Sequence, residues 1–229
     1  MAVRTSGPAP REMADGETAT VTSLRAAGGD RVAVLLDGEP ALTLTATAAI
    51  RLGLRRGATV DADLWRQVRA VAEAEAAESA AARLLAARAR TREDLRRRLA
   101  PRFPPAAVQQ ALDHLQAIGA IDDEAFARRW LELHAQDRAL SRQALISGLV
   151  RAGIPAPHAK RLVAALAPAD EAAGALAVAE AAATRYRRLP PDVAARRLWS
   201  YLARRGFGPE ACAQAVRAVD PHEDPHDGA

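Results

Sequence analysis

Residues 141–163 read SRQALISGLVRAGIPAPHAKRLV, and this stretch is the middle one of three copies of a single pattern. Its apolar positions are Leu145, Leu149, Ile154, Ala159 and Val163, at spacings of 4, 5, 5 and 4. The equivalent positions in the other two copies are Leu95, Leu99, Phe103, Val108 and Leu112, and then Leu198, Leu202, Phe207, Cys212 and Val216. Successive copies of the fourth position are 51 and 53 residues apart. A period of this length predicts one supersecondary unit that is stacked on its neighbours.

Helix caps and helix breakers recur at matching places and divide each copy into three helices. In the middle copy, Ser141 caps the second helix, Gly153 ends it and Pro155 opens the third. Thr91 and Pro105 take the corresponding places in the first copy. The three repeats are predicted at residues 80–121, 122–171 and 172–219. Together they are expected to form an elongated, curved, mainly α-helical array, because local signals and the repeat period agree.

The chain before the repeats is predicted to contain a small β unit, a hairpin or meander, at residues 18–60. Val32, Val34 and Leu36 alternate with other residues, and Asp37-Gly38 offers a two-residue hairpin turn. The next strand contains Pro40, which cannot donate to a ladder, so this strand is expected at an edge of the sheet.

Three further segments complete the predicted organisation. Residues 61–79 are interpreted as a helical connector that Asp61 or Asp63 caps. Residues 1–17 and the acidic tail at residues 220–229 are predicted to be disordered, because both have low hydrophobicity and several helix breakers.

Composition limits the class of protein. The chain has 229 residues, of which 49% are hydrophobic and only 3% aromatic, which favours helices packed through small side chains. A single cysteine, Cys212, excludes an intramolecular disulfide and falls at an apolar position of the repeat, where it is expected to be buried. No apolar run reaches the roughly 18 residues of a membrane span, and the N-terminus lacks a signal-peptide core. A soluble, cytoplasmic, monomeric protein is therefore expected.

Arginines give the repeat region its basic character. Residues 79–219 contain 23 basic and 13 acidic residues, whereas the flanking segments 1–78 and 220–229 have net charges of −2 and −4. Leu95 and Leu99 define the buried stripe of one helix, so Arg96–Arg98 must occupy its exposed arc. Guanidinium groups on such an arc can bind phosphates as bidentate donors.

The candidate contacts for phosphate or for a protein partner are Arg88, Arg92, Arg96, Arg97, Arg98, Arg128, Arg129, Arg196, Arg197, Arg204 and Arg205. We expect no aromatic residues to interleave with these arginines, so base stacking is not expected. DNA binding should therefore be weakly sequence-specific. The alternative is that the arginines form only solvated helix faces.

The sequence offers no recognisable catalytic or metal site. None of the five histidines falls in a metal-binding pattern, and neither a phosphate-binding loop nor a nucleophile elbow is present. Asp122-Asp123 could suggest a metal or acid–base site, but helix capping at a repeat junction explains the pair better. The acidic tail could chelate a metal weakly, although a disordered tail is the better interpretation. We predict no enzymatic activity, no cofactor and no metal; an enzyme site within the β unit is the remaining alternative.

Several motifs resemble a known family. Residues 121–130 read IDDEAFARRW and resemble the I-D-D-x-x-F-A-x-x-W signature of the bacterial RecX regulatory proteins. Residues 85–95, LAARARTREDL, resemble the segment L-x-x-R-x-R-S-x-x-E-L of that family, with threonine in place of serine and aspartate in place of glutamate. The helix ends at 149–154 and 202–207 also match. The resemblance covers about residues 80–219, and its signature residues Asp122, Asp123, Phe126 and Trp130 are expected to be mainly structural.

The resemblance implies a three-repeat modulator of the RecA recombinase. Such proteins are similar in binding within the groove of the filament that RecA forms on single-stranded DNA. They inhibit its ATP hydrolysis, strand exchange and co-protease activity, and so regulate recombination, DNA repair and the SOS response. Groove insertion and capping of filament ends both remain open here. The alternative function is a stand-alone DNA-binding protein of helix-turn-helix-like repeats with weak sequence specificity.

Overall fold

A computed structural model describes residues 12–135, 140–166 and 171–219. The chain divides into two compact units, Met1–Ile121 and Asp122–Ala229. Within the described residues, the first unit contains four strands and four helices, and the second contains six helices.

The first unit has the strands β1 (Thr18–Ala26), β2 (Arg31–Leu36), β3 (Glu39–Thr45) and β4 (Thr59–Asp61). Its helices are α1 (Ala46–Arg51), α2 (Ala62–Ala87), α3 (Arg92–Leu99) and α4 (Pro105–Ala117). The second unit has the helices α5 (Asp123–Ala135), α6 (Arg142–Ala152), α7 (Ala156–Leu166), α8 (Glu171–Ala183), α9 (Pro191–Arg204) and α10 (Pro209–Ala218). The prediction of a mainly helical chain with an N-terminal β unit is confirmed.

The β unit is a four-stranded antiparallel sheet with the strand order β3-β2-β1-β4. The β2–β3 hairpin turns at Asp37 and Gly38, whose φ angles of 51° and 90° are in the left-handed region that a tight hairpin turn requires. Pro40 is on an edge strand, as predicted. The ladder shifts between Val34 and Leu35, so the strict alternation expected of this strand is interrupted and both Leu35 and Leu36 are buried.

The sheet packs on the first half of α2. Trp65 and Val68 of this helix are buried in the same core as Val21, Val34 and Leu44 of the strands. Met13 also packs against this core, which places part of the segment that we expected to be disordered in the folded unit. The rest of that segment, residues 1–11, and the predicted acidic tail are outside the described residues.

Helix α2 continues without a break through the place where we put the boundary between connector and first repeat. Asp61 begins it by accepting a hydrogen bond from the backbone N–H of Leu64 at 2.8 Å. Its alanine-rich middle has no helix breaker, so the same helix supplies Ala72 to the sheet core and Ala80 and Ala81 to the next core. The connector and the first helix of the repeat are therefore one element of 26 residues.

Each repeat has its own hydrophobic core. The cores are formed by α2, α3 and α4, by α5, α6 and α7, and by α8, α9 and α10. All fifteen apolar positions of the sequence pattern belong to these cores or pack against them. Helix α5 exposes one large apolar side chain. Leu133 is 70% exposed, because Ala127 and Leu131 form the buried stripe and Leu133 is about 200° away from Leu131.

Ser141 joins the second and third repeats within the second unit. Its buried hydroxyl accepts a hydrogen bond from the backbone N–H of Ala144 at 3.1 Å and so caps α6. The same hydroxyl donates to the carbonyl oxygen of Arg205, at the end of α9, at 2.7 Å. The next residue, Gly206, has a φ of 85°, and a Cβ atom there would be 2.8 Å from the Ser141 Oγ. A glycine at this position is thus required both by the backbone and by the close approach.

Cys212 is fully buried in the core of the third repeat, which confirms the packing role predicted for it. Its thiol donates a hydrogen bond to the carbonyl oxygen of Phe207 at 3.4 Å. Burial raises the pKa of the thiol, and the negative charge of Glu171 raises it further. The thiolate is therefore disfavoured at neutral pH.

No single helix in the described part of the chain is long and apolar enough to cross a membrane. The consecutive helices α7 and α8 reach that composition only when they are taken together, and they are bent by 90° relative to each other.

Candidate nucleic-acid interface

Helix α3 presents three consecutive arginines to solvent. Thr91 begins the helix by accepting a hydrogen bond from the backbone N–H of Asp94 at 3.1 Å, and Leu95 and Leu99 are buried. This register leaves the side chains of Arg96, Arg97 and Arg98 between 44% and 54% exposed. The exposed arc predicted for these arginines is confirmed.

Two carboxylates of the first helical turn orient these guanidinium groups. Arg96 donates to both oxygens of Glu93 at 2.7 and 2.8 Å, and Arg98 donates to Asp94 at 3.0 Å. The hydrogen bond from Arg96 is the main reason why the pKa of Glu93 is below its usual range. Because solvent screens exposed ion pairs, they stabilise the helix little, so a phosphate could replace a carboxylate at low cost. The pairs therefore pre-orient the arginines without burying them.

Two neighbouring arginines hold the fold instead. The side chain of Arg90 is only 9% exposed and donates to the carbonyl oxygen of Leu84 and to Asp94. Burial acts to raise the pKa of Asp94, but the hydrogen bonds from Arg98 and Arg90 outweigh it and lower the pKa. Arg92, one of our candidate contacts, also forms hydrogen bonds within the fold.

Arg92 ties α3 to α4. Its guanidinium donates to Asp113 at 2.6 Å and to Gln116 at 2.9 Å. Both partners belong to α4, which explains why the side chain is less exposed than its neighbours on α3. We therefore remove Arg92 from the set of arginines available to a ligand.

A basic cleft between α2 and α3 contains the candidate Arg98 and two arginines, Arg83 and Arg102, that were not among the candidates. Arg83, Arg98 and Arg102 line a cleft of about 370 Å³, together with Ala80, Leu84 and Leu99. Arg83 is one turn after the buried residue Ala80 on α2, so both are on the same side of the helix. This spacing is the signal in the sequence that could have indicated Arg83. Arg88 follows the end of α2 and is exposed.

In the second unit, the candidate arginines are on α5 and α9 or at the end of α9, and all of them are exposed. Arg128 pairs with Glu124 one turn earlier, and Arg196 pairs with Asp192 at 3.3 Å. Within the described ranges, Arg129, Arg197 and Arg204 are exposed and form no ion pair. The guanidinium of Arg205 lies over the ring of Tyr201, 4.9 Å from its centroid, and that of Arg185 lies 5.9 Å from the same centroid.

Aromatic residues do interleave with the arginines of α9, contrary to our expectation. Trp199 and Tyr201 stand between Arg197 and Arg204 in the same helix. The rings of Tyr201 and Trp199 differ in their surroundings, because two guanidinium groups cover the first whereas the second is 41% exposed.

The signature residues make contacts that hold the second repeat. Asp122 caps α5 by accepting a hydrogen bond from the backbone N–H of Ala125 at 2.8 Å. Phe126 and Trp130 pack against the core of that repeat, and the indole of Trp130 stacks on the ring of His134 at a centroid distance of 4.0 Å. Gly148 leaves room for the indole, because a Cβ atom there would overlap it.

Metal ligands do not converge in the described part of the chain, where no group of three histidine, cysteine, aspartate or glutamate side chains could hold an ion. Asp123 is half-buried, and its partner Asp122 is used as the helix cap.

Comparisons with solved structures show the fold that surrounds these surfaces. The crystal structure of a regulatory protein RecX superposes with a TM-score of 0.72 at 20% identity, covering 87% of this chain and 99% of its own. RecX from Lactobacillus salivarius superposes with a TM-score of 0.57 at 16% identity, covering 65% of this chain and 97% of its own. The first superposition covers 87% of this chain, which is more than the 150 residues from Ala80 onward. The common fold therefore extends into the region before residue 80, which we placed outside the resemblance.

Sequence comparisons show the family. The family model described as RecX, first three-helix domain, matches residues 77–115. The regulatory protein RecX of Thermobifida fusca is 31% identical over 162 residues, which cover 70% of this chain and 83% of that protein. The RecX protein of Mycobacterium leprae is 36% identical over 141 residues, which cover 59% of this chain and 81% of that protein. Both relatives are named as regulatory proteins, the class of protein that the resemblance led us to expect. The chain belongs to the RecX family of regulatory proteins.

Proposed function

We propose that this protein regulates the RecA recombinase by binding the filament that RecA forms on single-stranded DNA. It inhibits ATP hydrolysis, strand exchange and the co-protease activity of that filament, and it thereby regulates recombination, DNA repair and the SOS response in the cytoplasm. The observation that carries this proposal is family membership, through the match to 83% of the Thermobifida fusca relative. The surfaces described above support it.

Exposed arginines are present in both units and suit a long polyanionic partner. Among them are Arg96–Arg98 and Arg88 in the first unit, and Arg129, Arg197 and Arg204 in the second. A guanidinium group that is oriented but accessible can exchange its carboxylate for a phosphate or for an acidic side chain of RecA. The elongated, curved arrangement of the repeats remains a prediction, as does the monomeric state; such an array would lie along a filament groove.

The direct test is ATP hydrolysis by RecA on single-stranded DNA. The protein should inhibit hydrolysis when it is present at much less than one molecule per RecA protomer, because one bound molecule affects several neighbours in a polymer. The variant Arg197→Glu/Arg204→Glu should weaken inhibition. Arg55→Glu/Arg56→Glu is the matched control, since both residues are exposed in the β unit and the change in charge is the same.

The alternative, a stand-alone DNA-binding protein, predicts different results. It requires tight binding to duplex DNA in the absence of RecA, with some sequence preference. It also predicts no substoichiometric effect on ATP hydrolysis. If charge reversal on α9 leaves inhibition unchanged while the control behaves as the wild type, the assignment of this surface is wrong.

A further inference from the structure

Helices α9 and α10 line a shallow groove that contains one tryptophan. The groove has a volume of about 360 Å³. Ala195, Arg196 and Trp199 line it from α9, and Ala213, Val216 and Arg217 line it from α10. These residues recur at helical spacing on both helices, so the groove is formed by two facing surfaces of one repeat.

Core packing does not account for Trp199. Trp65 is buried in the sheet core, and Trp130 packs against the core of the second repeat and stacks on His134. Trp199, by contrast, is absent from the core of its own repeat and is 41% exposed. An exposed tryptophan in a groove offers a large apolar and aromatic surface that the fold itself does not use.

The charge of the groove indicates what kind of ligand fits. The lining of the groove is almost entirely apolar, so Arg196 and Arg217 line it with their methylene groups while their charged ends reach its edge, and no carboxylate lines it. Asp192 pairs with Arg196, but both side chains are largely exposed, so a ligand can replace this contact. An apolar side chain of a protein partner has no acceptor for the two guanidinium groups, whereas a nucleotide has a phosphate that can accept their hydrogen bonds.

The lining of the groove favours a ligand with a flat apolar face. Its remaining lining consists of Ala195, Ala213 and Val216, which are short side chains beside the broad indole. Aromatic rings beside basic residues are the platform on which proteins stack the bases of single strands. In duplex DNA the bases are already stacked on each other and their faces are inaccessible.

We propose that the groove between α9 and α10 binds an unpaired base of single-stranded DNA. The indole of Trp199 stacks on the base, and Arg196 and Arg217 contact the adjacent phosphates. Tyr201 does not share this role, because Arg205 and Arg185 lie over its ring. The inference deepens the proposed function by adding a base contact, and it is tested on DNA without RecA so that either can fail alone.

The experiment compares two fluorescein-labelled oligonucleotides of equal length at one salt concentration, oligo-dT and the same backbone with abasic sites. The full-length wild type should bind oligo-dT about tenfold more tightly, the size of effect that stacking on one base gives. The variant Trp199→Leu keeps an apolar side chain but has no ring, and it should bind both oligonucleotides equally. Trp199→Phe should retain part of the preference for oligo-dT.

Leu133→Ala is the control for loss of an exposed apolar side chain elsewhere in the second unit, and it should behave as the wild type. Circular dichroism should show that Trp199→Leu is folded, since the residue is outside the core. Equal affinity of the wild type for both oligonucleotides would overturn the proposal, and so would a Leu variant that keeps the preference. Binding of Trp199→Leu to DNA-free RecA is measured as well. If this variant binds RecA more weakly but binds both oligonucleotides as the wild type does, the groove is a protein-docking site and the proposal is overturned.

Inhibition of ATP hydrolysis by RecA is measured in parallel. If inhibition persists but base preference is absent, the stacking site is wrong and the proposed function remains. If base preference is present without inhibition, the stacking site remains and the proposed function is wrong.

Discussion

The hydroxyl of Ser141 carries two hydrogen bonds in a buried position, and its removal should destabilise the second unit. Ser141→Ala loses the cap on α6 and leaves the carbonyl oxygen of Arg205 without its partner. Loss of a cap costs about 0.5–2 kcal/mol, and an unpaired buried acceptor costs about 1–3 kcal/mol. We expect the free energy of unfolding to fall by about 1–3 kcal/mol, measured by urea unfolding followed by circular dichroism.

Ser200→Ala is the matched control for that substitution. The hydroxyl of Ser200 donates to the carbonyl oxygen of Arg196 within the same helix, at 2.8 Å, in a position that water can reach. Its removal should change the free energy of unfolding by less than about 0.5 kcal/mol. Equal effects of the two substitutions would show that neither the cap nor the bond to Arg205 adds to stability.

Single residues also show where prediction from sequence ends. The caps at Thr91 and Ser141 were predictable, because a capping residue and the apolar period that follows it are close in sequence. The bond from Ser141 to Arg205 was not, since the partners are 64 residues apart and no local pattern says which carbonyl comes near. Likewise, the fit of Gly148 under the indole of Trp130 depends on how α5 and α6 meet.

At the scale of elements, α2 links two cores of the first unit, so breaking it should uncouple them. Ser79→Pro removes one backbone hydrogen bond of α2. The break is located after Ala72, which is in the sheet core, and before Ala80, which is in the repeat core. A proline inside a helix costs about 3 kcal/mol or more. In hydrogen exchange followed by mass spectrometry, amides of β2 and α4 should share one opening free energy in the wild type. In the variant both should lose protection, and the two values should separate.

Ser79→Ala is the control for this break, since alanine favours the helix. It should leave exchange in β2 and α4 unchanged or slightly slower. If Ser79→Pro affects only the amides next to the substitution, then α2 does not couple the two cores.

Elements differ in how well their sequence predicts them. The long helices have enough turns for apolar period and caps to agree. Helix α1 and strand β4 were not predicted because they have six and three residues, too few for a period to show. Strand β4 exists because Thr59–Asp61 pairs with Thr18–Thr20, far away in the chain. The shift between Val34 and Leu35 is also a property of the ladder rather than of either strand alone.

At the scale of the whole molecule, positive charge is concentrated in the first and third repeats. Residues 79–121 and 172–219 each have a net charge of +5, whereas residues 122–171 are neutral. The repeat period predicted the helices that carry these arginines, but not which guanidinium groups are available. Arg92 is bound to α4, a contact between helices that no local pattern shows, and the guanidinium of Arg205 lies over Tyr201, one turn earlier in the chain.

Two accessible arginine pairs, one in each unit, allow the proposal of a shared polyanion to be tested by salt dependence. The pairs are Arg96 and Arg97 of α3 and Arg197 and Arg204 of α9. Replacing a pair with glutamine should lower the slope of log K against log salt by about 1.4 for binding to the RecA filament, because each phosphate contact on a single strand contributes about 0.7. The combined variant should lose about twice as much. Arg55→Gln/Arg56→Gln should leave the slope unchanged.

The combined variant separates two ways in which the units could act. If both units contact the same DNA strand, each loses its own counterion release and the changes in slope add. If only one unit contacts DNA, the other pair should leave the slope unchanged even where it weakens binding, since contacts with RecA side chains release few condensed ions. A combined slope equal to that of one pair would therefore assign the second surface to protein and restrict the DNA contact to a single unit.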